Sequence, residues 1–187
     1  GNAMNSIARL ATLATLTLDP GVTFRFVKGS GAVLHVDKGT TSAAATGALV
    51  ANGTATQPIV FTSAAAPPAA GDWVGLDFGN GPIVSDSLDH VEVRYAGADP
   101  QANGFHCLPN GSVSADEKAA ISIYGQPAPG MIANSLFADV DGAGINLAYP
   151  GTAPDFLTGN TFTNVTGCKV TTPKNANGTC PASSPCP

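Results

Sequence analysis

Five side chains near the middle of this 187-residue chain have types and spacing that could do chemistry: Trp73, Asp77, His90, Glu92 and Arg94. His90, Glu92 and Arg94 are alternate residues, so on a strand they would point the same way and could hold a sugar acid or move a proton. Asp77 and Trp73 would point outward from the preceding strand, where an indole face can stack on a sugar ring. A plainer reading of the same residues stands beside this one. Alternate polar residues mark any solvated strand face, and Glu92 with Arg94 can form a surface pair worth under about 1 kcal/mol. Trp73, the only Trp, also suits packing at a corner or beneath a loop. His35 and His106 stand alone and read as solvated or locally hydrogen-bonded.

The elements that must position these residues are short strands. Gly71 to Phe78 and Leu88 to Gly97 alternate apolar and polar residues, which puts Val74, Leu76 and Phe78 on one buried face and Val91, Val93 and Tyr95 on another. Similar runs are centred near residues 24, 50, 76, 122 and 146, with a second set near 34, 60, 92, 136 and 162. The steps are about 25 residues, apart from one of about 45 where residues 98–118 are inserted, and a period in this range signals stacked repeats. No 3.6-residue apolar pattern occurs, which excludes βαβ units and leucine-rich horseshoes. Short strands with Gly, Asn and Pro corners fit the coils of a parallel β-helix. A Greek-key sandwich is the alternative.

The segments Leu16-Thr-Leu-Asp-Pro-Gly-Val-Thr-Phe24, Gly47-Ala-Leu-Val-Ala-Asn-Gly-Thr-Ala55, Pro58-Ile-Val-Phe-Thr-Ser63 and Gly71-Asp-Trp73 carry a resemblance. Together with Asn134-Ser-Leu-Phe137, Gly142-Ala-Gly-Ile145 and Asn160-Thr-Phe162, they resemble secreted bacterial right-handed parallel β-helix repeat proteins of the pectate-lyase-like superfold. The resemblance covers about residues 14–167 and implies a single all-β domain over 5–187, a right-handed parallel β-helix of about five coils. It does not imply one activity, because such coils serve lyases, hydrolases and adhesins alike. Polygalacturonase-like hydrolases carry a paired Asp-Asp and a Gly-His-Gly, and neither is present. Pectate-lyase-like enzymes need an Asp cluster for calcium and a basic residue to take the proton. The three arginines, Arg9, Arg25 and Arg94, match no such motif. Asp139-Val-Asp141-Gly142 lacks the further acidic ligands of an EF-hand and reads as a corner turn.

The expected function is therefore a non-catalytic exported or cell-surface module for carbohydrate contact or adhesion, with an extracellular polysaccharide or cell-surface component as partner. The alternative is a lyase or glycoside hydrolase acting on an acidic polysaccharide through Asp77, His90, Glu92 and Arg94. A net charge of −5 and a pI near 4.8, without a basic cluster, argue against nucleic acid. No apolar run reaches the roughly 20 residues of a membrane span, and neither a cofactor nor a metal site is expected.

The chain ends and the insertion carry further expectations. Gly1-Asn2-Ala3-Met4 looks like a cloning remnant, and a signal peptide is taken to be missing from this sequence. Cys107, Cys168, Cys180 and Cys186 fit no zinc spacing and read as disulfides of an exported protein, the other possibility being free thiols in the cytosol. The expected pairs are Cys168–Cys180 and Cys107–Cys186, out of three possible pairings. Both ends of a coil stack need covers, and residues 5–15 and the tail 168–187 are placed for that role. Asn134 and Asn160 are candidates for a corner ladder. The insertion 98–118, with Asp99, Asn103, Phe105, His106, Asp116 and Glu117, could wall a groove over the His90–Arg94 strand or lie as a passive flap held by Cys107.

Overall fold

The alternating strands stack in parallel, each buried face lying on its counterpart from the next coil. The computed structural model describes residues 8–10, 14–36, 47–79, 85–99, 106–107, 110–111, 113–114, 118–182 and 186. Strands are numbered in chain order. Sheet A joins β1 (Ala8–Leu10), β4 (Val33–Val36), β7 (Gly75–Phe78), β12 (Ala119–Ile123) and β15 (Ala143–Leu147). Sheet B joins β2 (Ala14–Leu18), β5 (Gly47–Asn52), β8 (Ser87–Asp89) and β13 (Ile132–Ala133). Sheet C joins β3 (Thr23–Phe26), β6 (Ile59–Ser63), β9 (Val91–Arg94), β14 (Leu136–Val140) and β16 (Thr161–Val165). Every pairing within these three sheets is parallel. The chain thus visits A, B and C in turn, a parallel β-helix, and the five-stranded sheets count five coils. A short antiparallel pair, β10 (His106–Cys107) with β11 (Val113–Ser114), lies in the insertion.

Register puts like on like. In sheet A, Leu34, Leu76, Ile121 and Ile145 form one inward column, and Val36, Phe78, Ile123 and Leu147 a second. In sheet C the column is Phe24, Phe61, Val93, Phe137 and Phe162. Its rings stack with centroids 5.4 Å apart for Phe24–Phe61 and 5.0 Å for Phe137–Phe162. Most of these side chains are fully buried, each worth roughly 1.5–3 kcal/mol of transfer free energy.

The repeat differs from the expected two-strand unit. Leu34 pairs with Leu76 and Leu76 with Ile121, so stacked partners lie 42 (34 to 76) and 45 (76 to 121) residues apart. Only at the two ends of the stack is the separation near 25: 26 from Ala8 to Leu34 (8 to 34), 24 from Ile121 to Ile145 (121 to 145) and 25 from Phe137 to Phe162 (137 to 162). Centres near 24, 50 and 76 belong to β3, β5 and β7 in sheets C, B and A, so each step runs two sides round the prism and falls one side short of a full turn. Corner loops of unequal length separate true partners without disturbing the stack.

The corners are built from left-handed backbone. His90 (φ 51°) and Asn134 (φ 50°) turn the chain from sheet B to sheet C, while Tyr95 (φ 62°), Asp139 (φ 56°) and Asn164 (φ 53°) lie at the far side of sheet C. Asn and Asp accept this conformation more readily than most residues because their short polar side chains bond locally. Asn134 Nδ2 donates to Asp89 Oδ1 at 2.8 Å and Asn164 Nδ2 to Asp139 Oδ1 at 2.9 Å, linking successive coils. Asn160 does not extend the Asn134 corner. Its Oδ1 accepts from Ser135 N and its Nδ2 donates to Ile132 O, both in the coil before, and Nδ2 also donates to Phe156 O to close its own loop. Asp139 and Val140 end β14, and Asp141-Gly142 turns the chain into β15, with Gly142 (φ +111°) so close to the Lys118 backbone that a Cβ has no room.

One buried carboxylate pins coils 1 to 3 together. Asp72 Oδ2 accepts from Ser63 Oγ at 2.7 Å and Ala69 N at 2.9 Å, and Oδ1 meets Lys28 Nζ at 2.9 Å. Burial pushes this carboxyl up, but Ser63, Ala69 and Lys28 together outweigh burial and hold it below its ordinary value of 3.8.

The two ends differ. The tail pairs along the free edge of β15: Ile145 N donates to Lys169 O, Thr171 N to Ile145 O, and Lys174 N to Tyr149 O. Within residues 5–15, expected as the opposite cap, Ala8–Leu10 is instead β1 and Ala14–Thr15 begins β2, because their apolar alternation continues the coil; residues 5–7 and 11–13 lie outside the described residues. The disulfides are Cys107–Cys180 and Cys168–Cys186, with Cα separations of 5.4 and 5.0 Å, in place of the expected Cys168–Cys180 and Cys107–Cys186. The insertion packs on the tail at Gly111, beside the carbonyls of Pro181 and Ala182, which delivers Cys180 to Cys107 and leaves the last cysteine for Cys168.

Non-reducing peptide mapping should recover Cys107 joined to Cys180 and Cys168 joined to Cys186. By chain entropy the 73-residue loop contributes about 4.5 kcal/mol and the 18-residue loop about 3 kcal/mol. Reduction should therefore lower the unfolding midpoint in urea. Asp72→Ala should cost about 2–4 kcal/mol, since it strands buried donors, whereas Lys28→Ala should cost under about 1 kcal/mol because Lys28 is largely exposed. A lowered folded pKa means that Asp72 stabilises fully above 3.8 and progressively less as pH falls through the folded value. Acid titration of stability in Asp72→Asn should lack that loss.

Candidate functional site

The five sequence candidates occupy different parts of the prism. Trp73 is fully buried, its indole parallel to the Phe26 ring at 4.0 Å, and its Nε1 donates to Arg94 O at 2.8 Å. It is a core residue at the corner that opens coil 3, so its face is closed to a sugar ring. Asp77 points out of β7 yet is only 5% exposed. Its Oδ2 lies 3.0 Å from Nδ1 of His35, the register partner one coil below. The row continues through Ser122 and Asn146, where Thr171 Oγ1 donates to Asn146 Oδ1 at 3.2 Å. Ser122, Asn146 and Thr171 are all buried.

His90 is not on the strand face with Glu92. Its positive φ ends β8 and turns the imidazole at the corner, where Nδ1 sits 3.0 Å from Asp89 Oδ1. Period-two alternation presupposes extended backbone, and one left-handed residue breaks it. Glu92 and Arg94 do share the outer face of β9, but they face each other, with Arg94 Nε donating to Glu92 Oε2 at 2.8 Å. The structure thus brings Glu92 to Arg94 and leaves Asp77, His90 and Trp73 apart from them. Asn103, Phe105, Asp116 and Glu117 of the insertion, and the side chain of His106, lie outside the described residues.

A concave feature comes from residues the strand patterns do not single out. A cleft of about 650 Å³ lies between loops 126–130 and 152–155, walled by Pro127, Pro129 and Pro154. Behind it Tyr149 is buried, its hydroxyl donating to Thr152 O at 3.0 Å. Burial raises this hydroxyl to about 12, against the opposing pull of Gln126, so it remains a proton donor at neutral pH. On the rim, Asp155 is held below the usual carboxylate range by hydrogen bonds from the Thr158 backbone and side chain and from Leu157 N. An adjoining hollow of about 230 Å³ is lined by Phe156, Leu157 and Val170. The prolines at 127, 129, 150 and 154 are the sequence signal for these loops, though proline marks any corner. Among the described residues no three His, Cys, Asp or Glu side chains gather to hold a metal ion, and no helix is long and apolar enough to cross a membrane.

A family model described as a pectate-lyase like beta helix domain matches residues 3–104, which takes in coils 1 to 3. No curated protein and no solved structure matches the chain.

Trp73→Ala should destabilise the fold by about 3–5 kcal/mol, as expected for a large buried aromatic ring. Glu92→Gln and Arg94→Gln should each cost under about 1 kcal/mol. Thermal unfolding of the three variants measures the contrast.

Proposed function

The chain belongs to the pectate-lyase-like β-helix domain family, and on that scaffold we propose a non-catalytic exported or cell-surface module that presents a stiff β-helical face to extracellular polysaccharide or another surface component. The observation that carries this reading is the engagement of its polar candidates. Glu92 is hydrogen-bonded to Arg94 at 2.8 Å, and the Nδ1 atoms of His35 and His90 stand 3.0 Å from the carboxylates of Asp77 and Asp89 without an aligned hydrogen bond. Groups held in such pairs stiffen coils and corners. Carboxylates in a glycosidase instead flank one bond at about 5–10 Å with room for sugar and water. The four polar side chains are divided between the outside of sheet A, a corner and the outside of sheet C. Two disulfides support an oxidising compartment, as in secreted and surface proteins. Low charge and many Thr, Ser and Asn residues suit an open face that meets a neutral or weakly acidic glycan through hydroxyl and amide contacts.

The family also contains the competing reading, a lyase or hydrolase acting on an acidic polysaccharide. A screen of polyuronates and neutral glycans, following both binding and cleavage, separates the two. Binding without cleavage is the expected outcome. Turnover that disappears in Glu92→Gln or His90→Ala, with the fold intact by circular dichroism, would overturn the non-catalytic reading.

A further inference from the structure

Coil 5 contributes no strand to sheet B among the described residues. Its chain runs from β15 to β16 through residues 148–160, whereas coil 4 reaches β13 of sheet B through residues 124–131. The cleft of about 650 Å³ lies between these two stretches, and its walls all fall within the described residues. Prolines hold it open. Pro127, Pro129 and Pro154 have no backbone N–H to donate, so the two loops cannot close into a ladder.

The cleft is fixed from beneath and at its lip. The Thr152 carbonyl accepts from the Tyr149 hydroxyl at 3.0 Å and from Gln126 Nε2 at 3.2 Å, and the second bond ties one loop to the other. Asp155 Oδ1 accepts from Leu157 N at 3.1 Å and Thr158 N at 2.9 Å. That turn holds the carboxylate in place while leaving it exposed to solvent. A site held in this way loses little freedom when a ligand enters.

The lining limits what can enter. The prolines and Ala153 offer C–H surface, and Thr152 offers a hydroxyl. Asp155 is the only charged side chain among the residues lining this cleft and the adjoining hollow. A carboxylate with no cation in the same lining repels a uronate or a sulfate ester. It accepts strong hydrogen bonds from hydroxyl groups. The volume falls within the roughly 300–1,000 Å³ of small-molecule sites.

We propose that this cleft is a glycan-binding subsite that takes an uncharged sugar unit, with a C–H face of the ring on the proline wall and neighbouring hydroxyls donating to Asp155. The proposal rests on the polysaccharide-presenting reading above. It narrows that reading from an open face to one corner cleft, and from extracellular glycans at large to neutral ones.

Calorimetric titration of the whole chain tests this with neutral hexasaccharides of glucose, mannose, galactose and xylose, and with hexagalacturonate as the acidic comparison. The wild type should bind at least one neutral hexasaccharide and should not bind hexagalacturonate. Asp155→Asn keeps an acceptor for Leu157 N and Thr158 N but removes the charge, and should weaken binding about tenfold. Ala153→Trp fills the cleft from an exposed position and should abolish binding. Unchanged melting temperatures establish that the variants fold, and if one does not, the other decides. Neutral-glycan binding that survives both substitutions would overturn the cleft as the site and leave the non-catalytic reading standing. Preference for hexagalacturonate would overturn the sugar class alone. A wild type that binds no glycan would remove this proposal together with the reading beneath it.

Discussion

Everything in this protein depends on one register, in which each inward side chain rests on its counterpart a coil away. Parallel strands carry side chains out at equal heights, so a column such as Leu34, Leu76, Ile121 and Ile145 fills the prism only if no strand slips by one residue. A one-residue slip would turn Asp77 and Ser122 into the core and Leu76 and Ile121 out. The aromatic column of sheet C adds shape to that demand, since Phe24 stacks on Phe61 and Phe137 on Phe162 nearly parallel. Loops escape the constraint, which is why coils of very different chain length still stack.

The same constraint drafts polar groups into structural work. A coil must turn at each corner, and the turns use left-handed His90, Tyr95, Asn134, Asp139 and Asn164. Side chains freed there reach up or down the axis, as Asn134 does to Asp89 and Asn164 to Asp139. Asp72, buried beside Ser63, ties the turn after β6 to the start of coil 3, and the Trp73 indole spans from Phe26 to the Arg94 carbonyl. Chemistry-bearing residues are thus bound up in holding coils together. A surface recruited for recognition on such a scaffold is more readily found in corner loops, which vary freely, and the cleft between loops 126–130 and 152–155 is one such place.

The stack also has polarity along its axis. Its late end is closed by a tail that supplies backbone partners to β15 and is cross-linked to both the insertion and itself. At its early end β2 and β3 are the outermost described strands of sheets B and C, with Leu16, Phe24 and Phe26 half-buried. Covalent locking of the late end follows from where the cysteines fall in the chain.

Strand positions were legible in the sequence, because alternation at Val33–Val36, Ile59–Ser63, Val91–Arg94 and Leu136–Val140 is a local property of a half-buried extended chain. So was the parallel β-helix, since repeated short strands without a helical period leave few ways to bury their faces. The third side of coils 3 and 4 was not, because β8 and β13 are only three and two residues long and carry too little pattern. Which strand stacks on which was equally hidden, for loop length does not enter the energy of the stack. The expected row parts at one backbone angle: Glu92 and Arg94 share the outer face of β9, and the left-handed turn at His90 sets the third member apart. Burial of Trp73 and Asp77, and the choice of Cys180 for Cys107, depend on contacts between segments far apart in the chain. Local pattern sets each residue's side of a strand, and only the packed coils decide what covers that side.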